Sequence, residues 1–191
     1  MSGGTGRVDG VLLTHGAGGG ANAPVLVALE EALDVPVRRM EFPYRRAGRR
    51  APDRMPKLVE SIVAEAADLA SEAGTTTDRL VLGGRSMGGR ACSMAVAEGL
   101  PAAGLVLLSY PLHPPGKPDR LRVEHFGSLH CPVLVVQGDR DPFGRPDEFE
   151  AHVAAIPGPT EVVWLAGAGH DPKGHGPAIV AAVQRWLSTI G

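Results

Sequence analysis

Residues 80–90 constrain the fold of this chain more than any other stretch. The apolar run Leu80-Val81-Leu82 leads into Gly84-x-Ser86-x-Gly88, and the residues that follow are helical in character. A strand, a sharp turn with serine at its apex and a helix are typical of a nucleophile elbow, in which glycines let strand and helix approach closely. The alternative is an ordinary strand-to-helix turn whose serine caps the helix. These residues alone do not decide between the two.

Length and charge predict one domain without a nucleic-acid or membrane partner. The chain has 191 residues, 43% of them hydrophobic, and a formal net charge of -2 at pH 7. This length suits one domain with a full core, and the small negative charge argues against bulk binding to nucleic acid or to an anionic membrane. We expect a flexible leader at residues 1–10 and a single domain over residues 11–191. The oligomeric state stays open.

The cysteines and the first ten residues predict a cytoplasmic location. Cys92 and Cys131 have neither the spacing of a metal site nor the density of a disulfide scaffold. Residues 1–10 lack the layout of a signal peptide, and no apolar run approaches the roughly 18 residues of a membrane span.

Six apolar runs alternate with helical segments. The predicted strands are 11–14, 37–42, the run from Leu80, 105–108, 132–136 and 161–165. None shows an alternation of apolar and polar residues, which is typical of a parallel sheet covered on both faces. The fold class is therefore α/β, a three-layer α/β/α sandwich with a mainly parallel six-stranded sheet.

The segments between these runs predict helices and two irregular loops. Helical spacing predicts helices over 24–33, 56–73, 86–98, a short one over 121–129, then 146–156 and a last helix that carries Ile179, Val183, Trp186 and Ile190 on one face. The Arg-rich segment 44–54 and the Pro-rich segment 109–118 are predicted as loops.

Reactive side chains follow the predicted strands directly. Because the functional crevice of such a sheet lies beyond the carboxyl ends of its strands, we expect these residues to gather at one edge. A serine nucleophile needs a base, and the base needs a partner that holds its tautomer. Ser86, His170 and Asp141 can fill these three roles. The backbone N–H groups of Ala17 and Met87 would form an oxyanion hole.

These motifs together resemble the α/β-hydrolase superfamily. The chain is most similar to its small dienelactone-hydrolase-like group, and within it to the family of testis-expressed hydrolase-like proteins and a chromatin-acetyltransferase subunit. The segments that carry the resemblance are 14–18, 42–45, 84–90, 110–118, 137–144 and 169–171. The resemblance implies a shortened sheet without the usual first two strands. Ser86 stands where dienelactone hydrolases have cysteine, so dienelactones are a doubtful substrate.

The acid of the triad has two candidates, Asp139 and Asp141. Alternation along an extended chain does not separate them, because side chains two residues apart point the same way. Pro142 biases Asp141 toward an extended conformation, and the resemblance implies the acid three residues after Gly138. Asp139 is expected to bond local backbone instead.

Other residues have open roles. His175 is the rival base, and His170, Asp171 and His175 could in principle hold a metal, but they lack ligand spacing; we predict neither metal nor cofactor. Residues that follow strands or flank the serine could contact substrate: His15, Gly16, Tyr44, Arg45, Arg85 and His113. For the His15 side chain a structural role is favoured. The arginines of segment 44–54 could form a solvated loop, or Arg45 could bind an anionic substrate.

The sequence thus predicts a serine hydrolase that acts on esters, thioesters or related small acyl compounds. About two dozen residues join the strands at 105–108 and 132–136, too few for a helical lid, so the site should be open and its substrates small. The alternative is an interaction module that keeps the fold without turnover.

Overall fold

The computed structural model describes residues 7–191, in which six strands form one open parallel sheet. The strands are β1 (Gly10–Thr14), β2 (Val37–Met40), β3 (Leu80–Arg85), β4 (Gly104–Leu108), β5 (Val133–Gly138) and β6 (Thr160–Leu165). They pair in the order β2-β1-β3-β4-β5-β6, and every pair is parallel. The predicted fold class, with its shortened sheet, is confirmed.

Helices cover both faces of the sheet. They are α1 (Pro24–Ala32), α2 (Pro43–Arg46), α3 (Met55–Glu72), α4 (Met87–Ala97), α5 (Pro146–Val153) and α6 (Gly176–Ile190). Along β3, Leu80 and Leu82 pack in the cluster that includes α3, α4 and Phe149 of α5, whereas Val81 packs in the cluster that includes α1 and α6. Each central strand is therefore apolar on both sides, which is why the sequence shows continuous apolar runs.

One predicted loop and one predicted helix differ from the structure. The predicted loop 44–54 begins inside the one-turn helix α2, because Pro43 presets the backbone of a first helical residue. The predicted helix 121–129 is only a single 3-10 turn, Phe126–Ser128. This turn is the one helical element described between β4 and β5, so no helical lid interrupts that connection.

The predicted flexible leader, residues 1–10, overlaps the folded domain at residues 7–10. Residues 1–6 lie outside the described part of the chain. Val8 is buried in the core, Asp9 pairs with Arg79, and Gly10 opens β1. Residues 7–10 therefore pack with the domain. Among residues 7–191, no helix has the length and apolarity that a membrane span requires.

Gly83 provides a test of how tightly the central strands pack. It pairs with Val106 of β4, and an added β-carbon would lie 2.5 Å from the Val106 carbonyl oxygen and 2.9 Å from its Cβ. We expect Gly83→Ala to lower the free energy of unfolding by about 1–3 kcal/mol, as overpacked cores do, measured by urea denaturation. Gly127→Ala is the control, because its β-carbon meets no atom within 4 Å. Equal stability of the two variants would contradict this packing.

Candidate active site

Ser86 occupies a strained turn between β3 and α4. Its backbone dihedrals are φ 51° and ψ -116°, outside the regions that non-glycine residues prefer, and its side chain does not cap the helix. An added β-carbon at Gly84 or Gly88 would overlap atoms of Thr14 at the end of β1. The glycines are therefore required by close packing against β1, and the simple helix-cap interpretation of Ser86 does not describe this turn.

The Ser86 hydroxyl contacts His170. Its Oγ lies 2.9 Å from Nε2 of the imidazole, and Nδ1 of the same ring lies 2.9 Å from Oδ2 of Asp141. An ionised carboxylate only accepts hydrogen bonds, so Nδ1–H donates to Asp141. Nε2 is then free to accept the hydrogen bond that the Ser86 hydroxyl donates.

Asp141 is fully buried and satisfied by three donors. Besides the imidazole, the Gln137 amide donates to Oδ2 at 2.9 Å and the Phe143 N–H donates to Oδ1 at 2.8 Å. The Phe143 ring also stacks on the His170 ring, with 3.9 Å between ring centroids. Gln137 and Phe143 thus hold the aspartate and histidine in position, a role that the sequence analysis missed. The signal was a glutamine at the end of an otherwise apolar strand.

Asp139 has a different partner. Its Oδ1 accepts the Gly167 N–H at 2.8 Å, so it joins the loop after β5 to the loop after β6. The Arg140 N–H donates to the Ala168 carbonyl across the same two loops. The contact with His170 therefore belongs to Asp141. Asp139 bonds backbone, but that of the neighbouring loop after β6 and not the local backbone that the sequence predicts.

The loop after β1 lines the same cleft as the serine through Gly16 and Ala17. Ala17 N donates to no acceptor within residues 7–191, and Met87 is the first residue of α4, whose N–H has no acceptor inside the helix. The Tyr44 hydroxyl donates to the Ala17 carbonyl at 3.0 Å. His15 donates from Nδ1 to the Gly16 carbonyl at 2.8 Å and accepts the Phe42 N–H at Nε2. These bonds fix the loop in place.

The residues predicted to contact substrate divide into three groups. Gly16 and Arg85 line a cleft of about 620 Å³ that contains Ser86 and His170, whereas Arg45 lines a neighbouring cleft of about 800 Å³. His15, Tyr44 and His113 are buried and do not line the serine cleft. His15 and Tyr44 instead support the loop backbone. His113 bonds Glu148 of α5 and belongs to the rim structure.

His175 does not contact Ser86, and His170, Asp171 and His175 do not form a metal site in the described residues. His175 lies with its ring nitrogens near the carbonyls of Lys173 and Ala166, away from Ser86. Asp171 pairs with Arg85, so it does not share a site with the two histidines. Between residues 7 and 191, the structure has no group of three or more His, Cys, Asp or Glu side chains arranged to hold a metal.

Two lining arginines were not anticipated as site residues. Arg90 of α4 and Arg122 of the connection between β4 and β5 line the same cleft as Ser86. Arg90 stands in the serine motif, where the sequence does not show which way its side chain points. Arg122 lay in a segment predicted as helix, and only the folded connection brings it to the cleft.

The fold and the ordered set of serine, aspartate and histidine define an α/β hydrolase. This chain belongs to the alpha/beta hydrolase domain family, whose family model matches residues 7–178.

Solved structures share the fold at low sequence identity. An α/β serine hydrolase homologue from Coxiella burnetii is 22% identical, with a TM-score of 0.76 over 96% of this chain and 86% of that chain. Est1E from Butyrivibrio proteoclasticus is 18% identical, with a TM-score of 0.76 over 96% and 88%. A monoacylglycerol lipase from Paleococcus ferrophilus is 16% identical, with a TM-score of 0.74 over 97% of each chain.

The Asp141–His170 bond provides a test that needs no substrate. We expect the imidazole of His170 to carry its proton on Nδ1, with a downfield proton resonance in the NMR spectrum. Asp141→Asn should remove that resonance and shift the tautomer, because an amide no longer selects Nδ1–H. Asp139→Asn is the matched control and should keep it. Loss of the resonance in the control alone would reverse the assignment.

Proposed function

We propose that this protein is a serine hydrolase that cleaves esters or thioesters of small acyl groups through Ser86, His170 and Asp141. The observation that carries the proposal is the pair of 2.9 Å contacts that join the Ser86 hydroxyl to His170 and His170 to a buried carboxylate. A serine hydroxyl is a poor nucleophile at neutral pH, and an adjacent oriented base is what activates it. The strained backbone at Ser86 supports the same role.

In the first half-reaction, Ser86 Oγ attacks the acyl carbon while His170 Nε2 takes the hydroxyl proton. Asp141 holds the ring and stabilises the imidazolium that forms. His170 then gives its proton to the leaving alcohol or thiol, and the acyl group stays on Ser86. Water, deprotonated by His170, hydrolyses this acyl-enzyme in the second half-reaction and frees the serine.

The developing negative oxygen needs donors beside the serine. The N–H groups of Ala17 and Met87 are proposed for this role, since neither donates to an acceptor within residues 7–191 that would compete with the oxyanion. The hydrogen bonds from Tyr44 to the Ala17 carbonyl and from His15 to the Gly16 carbonyl hold the backbone of this loop in place. One such donor typically contributes about 2.7–4 kcal/mol to the barrier reduction.

The cleft favours small substrates. Its volume is about 620 Å³, and the described connection between β4 and β5 places no helical lid over it. The relatives with similar folds include an esterase-type protein, of which one structure has ferulic acid bound, and a monoacylglycerol lipase. We extend only the acyl-ester chemistry to this chain and propose a small acyl compound of the cytoplasm as substrate. The dienelactone-hydrolase-like subgroup remains part of this proposal.

Covalent labelling tests the nucleophile. We expect a fluorophosphonate probe to label the wild type and not Ser86→Ala, measured by intact-protein mass spectrometry. Ser109→Ala is a matched control, because Ser109 also has a positive φ of 49°, follows the neighbouring strand β4 and is buried. Labelling that survives in Ser86→Ala would refute the proposed nucleophile. No labelling of the wild type would instead favour the inactive interaction module.

The two aspartate variants refine this experiment. Asp141→Asn should slow labelling by on the order of 10⁴-fold, mainly through the wrong imidazole tautomer. Asp139→Asn should label at nearly the wild-type rate, because its carboxylate contacts only the Gly167 backbone. Equal rates in the two variants would contradict the role of Asp141.

Acyl-chain preference tests the open cleft. With 4-nitrophenyl esters we expect the highest kcat/KM for chains of about two to five carbons, because the described connection between β4 and β5 forms no helical lid that would bury a long chain. Chains of sixteen carbons should be poor substrates, and adding lipid vesicles should not activate the enzyme. A marked preference for long chains would contradict the proposed substrate size.

A further inference from the structure

The cleft beside Ser86 has an unusual charge. Three arginines line it, Arg85, Arg90 and Arg122, and no aspartate or glutamate does. Arg85 pairs with Asp171, with 3.3 Å between Nη2 and Oδ1, although its Nε is buried without a hydrogen-bond partner in the described residues. Within residues 7–191, Arg90 and Arg122 have no carboxylate at ion-pair distance and no acceptor for their guanidinium groups. Two cations of the cleft are therefore left without a counter-charge.

Arg90 is fixed at a short distance from the serine. It lies one helical turn beyond Ser86, and its N–H donates to the Ser86 carbonyl at 3.0 Å. Its Nε is buried and has no hydrogen-bond partner in the described residues. A buried donor without an acceptor is rare in folded proteins, because its desolvation is not compensated. Such a donor points to an acceptor that arrives from outside.

Arg122 is held near Arg90 by its backbone. Its N–H donates to the Leu112 carbonyl at 2.9 Å, and its own carbonyl accepts the Tyr110 hydroxyl at 2.7 Å. Burial, and next the positive charge of Arg90, lower the pKa of the Arg122 guanidinium. The two like charges therefore repel each other where they are partly withdrawn from water.

Two acidic residues lie near these arginines, and the charge of Glu124 opposes the lowering of the Arg122 pKa without reversing it. Asp119 and Glu124 lie with both arginines around a second, outer pocket of about 530 Å³. Neither carboxylate pairs with Arg90 or Arg122. The common alternative, in which an arginine only covers apolar surface with its stem and leaves its charge in water, does not account for the buried Nε of Arg90.

We infer that Arg90 and Arg122 bind a carboxylate or phosphate group carried by the acyl substrate. Guanidinium groups match these anions because their planar N–H donors meet two oxygens at once. Both arginines line the same cleft as Ser86, so the anionic group and the scissile carbonyl of one small substrate would occupy that cleft together. The substrate class is an ester or thioester of a short acid with a second, anionic end. The kinetic part of this inference rests on the proposed function, whereas the binding part does not.

A pair of matched esters tests the specificity. The mono-4-nitrophenyl ester of glutarate and the 4-nitrophenyl ester of pentanoate have five-carbon acyl chains that differ in the terminal carboxylate. We expect a higher kcat/KM for the glutarate ester, and we expect Arg90→Gln and Arg122→Gln each to lower the ratio of the two kcat/KM values at least about tenfold. Arg90→Lys should restore only part of the ratio, because it keeps the charge and loses the planar fork.

Arg120→Gln is the control for charge alone. Arg120 is exposed and lines the outer pocket but not the serine cleft. It removes the same charge two residues from Arg122, so the ratio should stay within about twofold of the wild type, as expected for a screened surface charge. If Arg90→Gln and Arg122→Gln change the ratio no more than Arg120→Gln does, the inference is wrong.

Binding without turnover separates this inference from the proposed function. Calorimetry on Ser86→Ala should detect binding of glutarate or of inorganic phosphate. It should detect no binding of the neutral glutaramide. Adding Arg90→Gln should weaken the anion at least tenfold, and the preferred anion identifies the group. If anion binding depends on Arg90 but the fluorophosphonate does not label the wild type, the inference holds and the proposed hydrolase function is refuted. Labelling without any Arg-dependent anion binding or ester preference would do the reverse.

Discussion

The close packing of Thr14 against the turn at Ser86 determines the geometry of the site. Thr14 pairs with Gly84 in the β1–β3 register, and its hydroxyl donates to the Gly83 carbonyl at 3.0 Å. Because a β-carbon on Gly84 or Gly88 would overlap Thr14, the serine turn and the loop after β1 approach each other only with glycine at both positions. One packing contact thus places the serine turn beside the loop that carries Ala17, and both line one cleft.

The remaining site residues depend on a second close approach. An added β-carbon at Gly138 would overlap the Ala168 carbonyl, so the loops after β5 and β6 lie backbone to backbone. The Asp139–Gly167 bond fixes that contact from the outside, and the Asp141–His170 bond fixes it from the inside. The two aspartates therefore have different roles in the same pair of loops. Asp139 joins the loops to each other through the Gly167 backbone, and Asp141 contacts the imidazole of His170.

The sequence was sufficient for the parts that follow from strand order. Parallel strands place their carboxyl ends at one edge, so Ser86, Asp141 and His170 could be expected to meet there. It was not sufficient for side-chain direction. Tyr44 and His113 follow strands as the reactive residues do, yet both are buried and bond other parts of the chain, Ala17 and Glu148. The neighbourhood of Arg90 and Arg122 depends on an irregular, proline-rich connection, which no periodicity predicts.

The departures from ordinary protein geometry gather at this same edge of the sheet. Ser86 and the next strand's Ser109 are the non-glycine residues between 7 and 191 with positive φ, and the Arg90 Nε beside them is buried without an acceptor. Each such feature typically costs about 1–3 kcal/mol, which the apolar clusters on both sheet faces must offset. Strain at Ser86 holds its hydroxyl toward His170, whereas the unpaired Arg90 donor has no internal use. A buried donor without an acceptor inside the protein is expected where the site binds an anion.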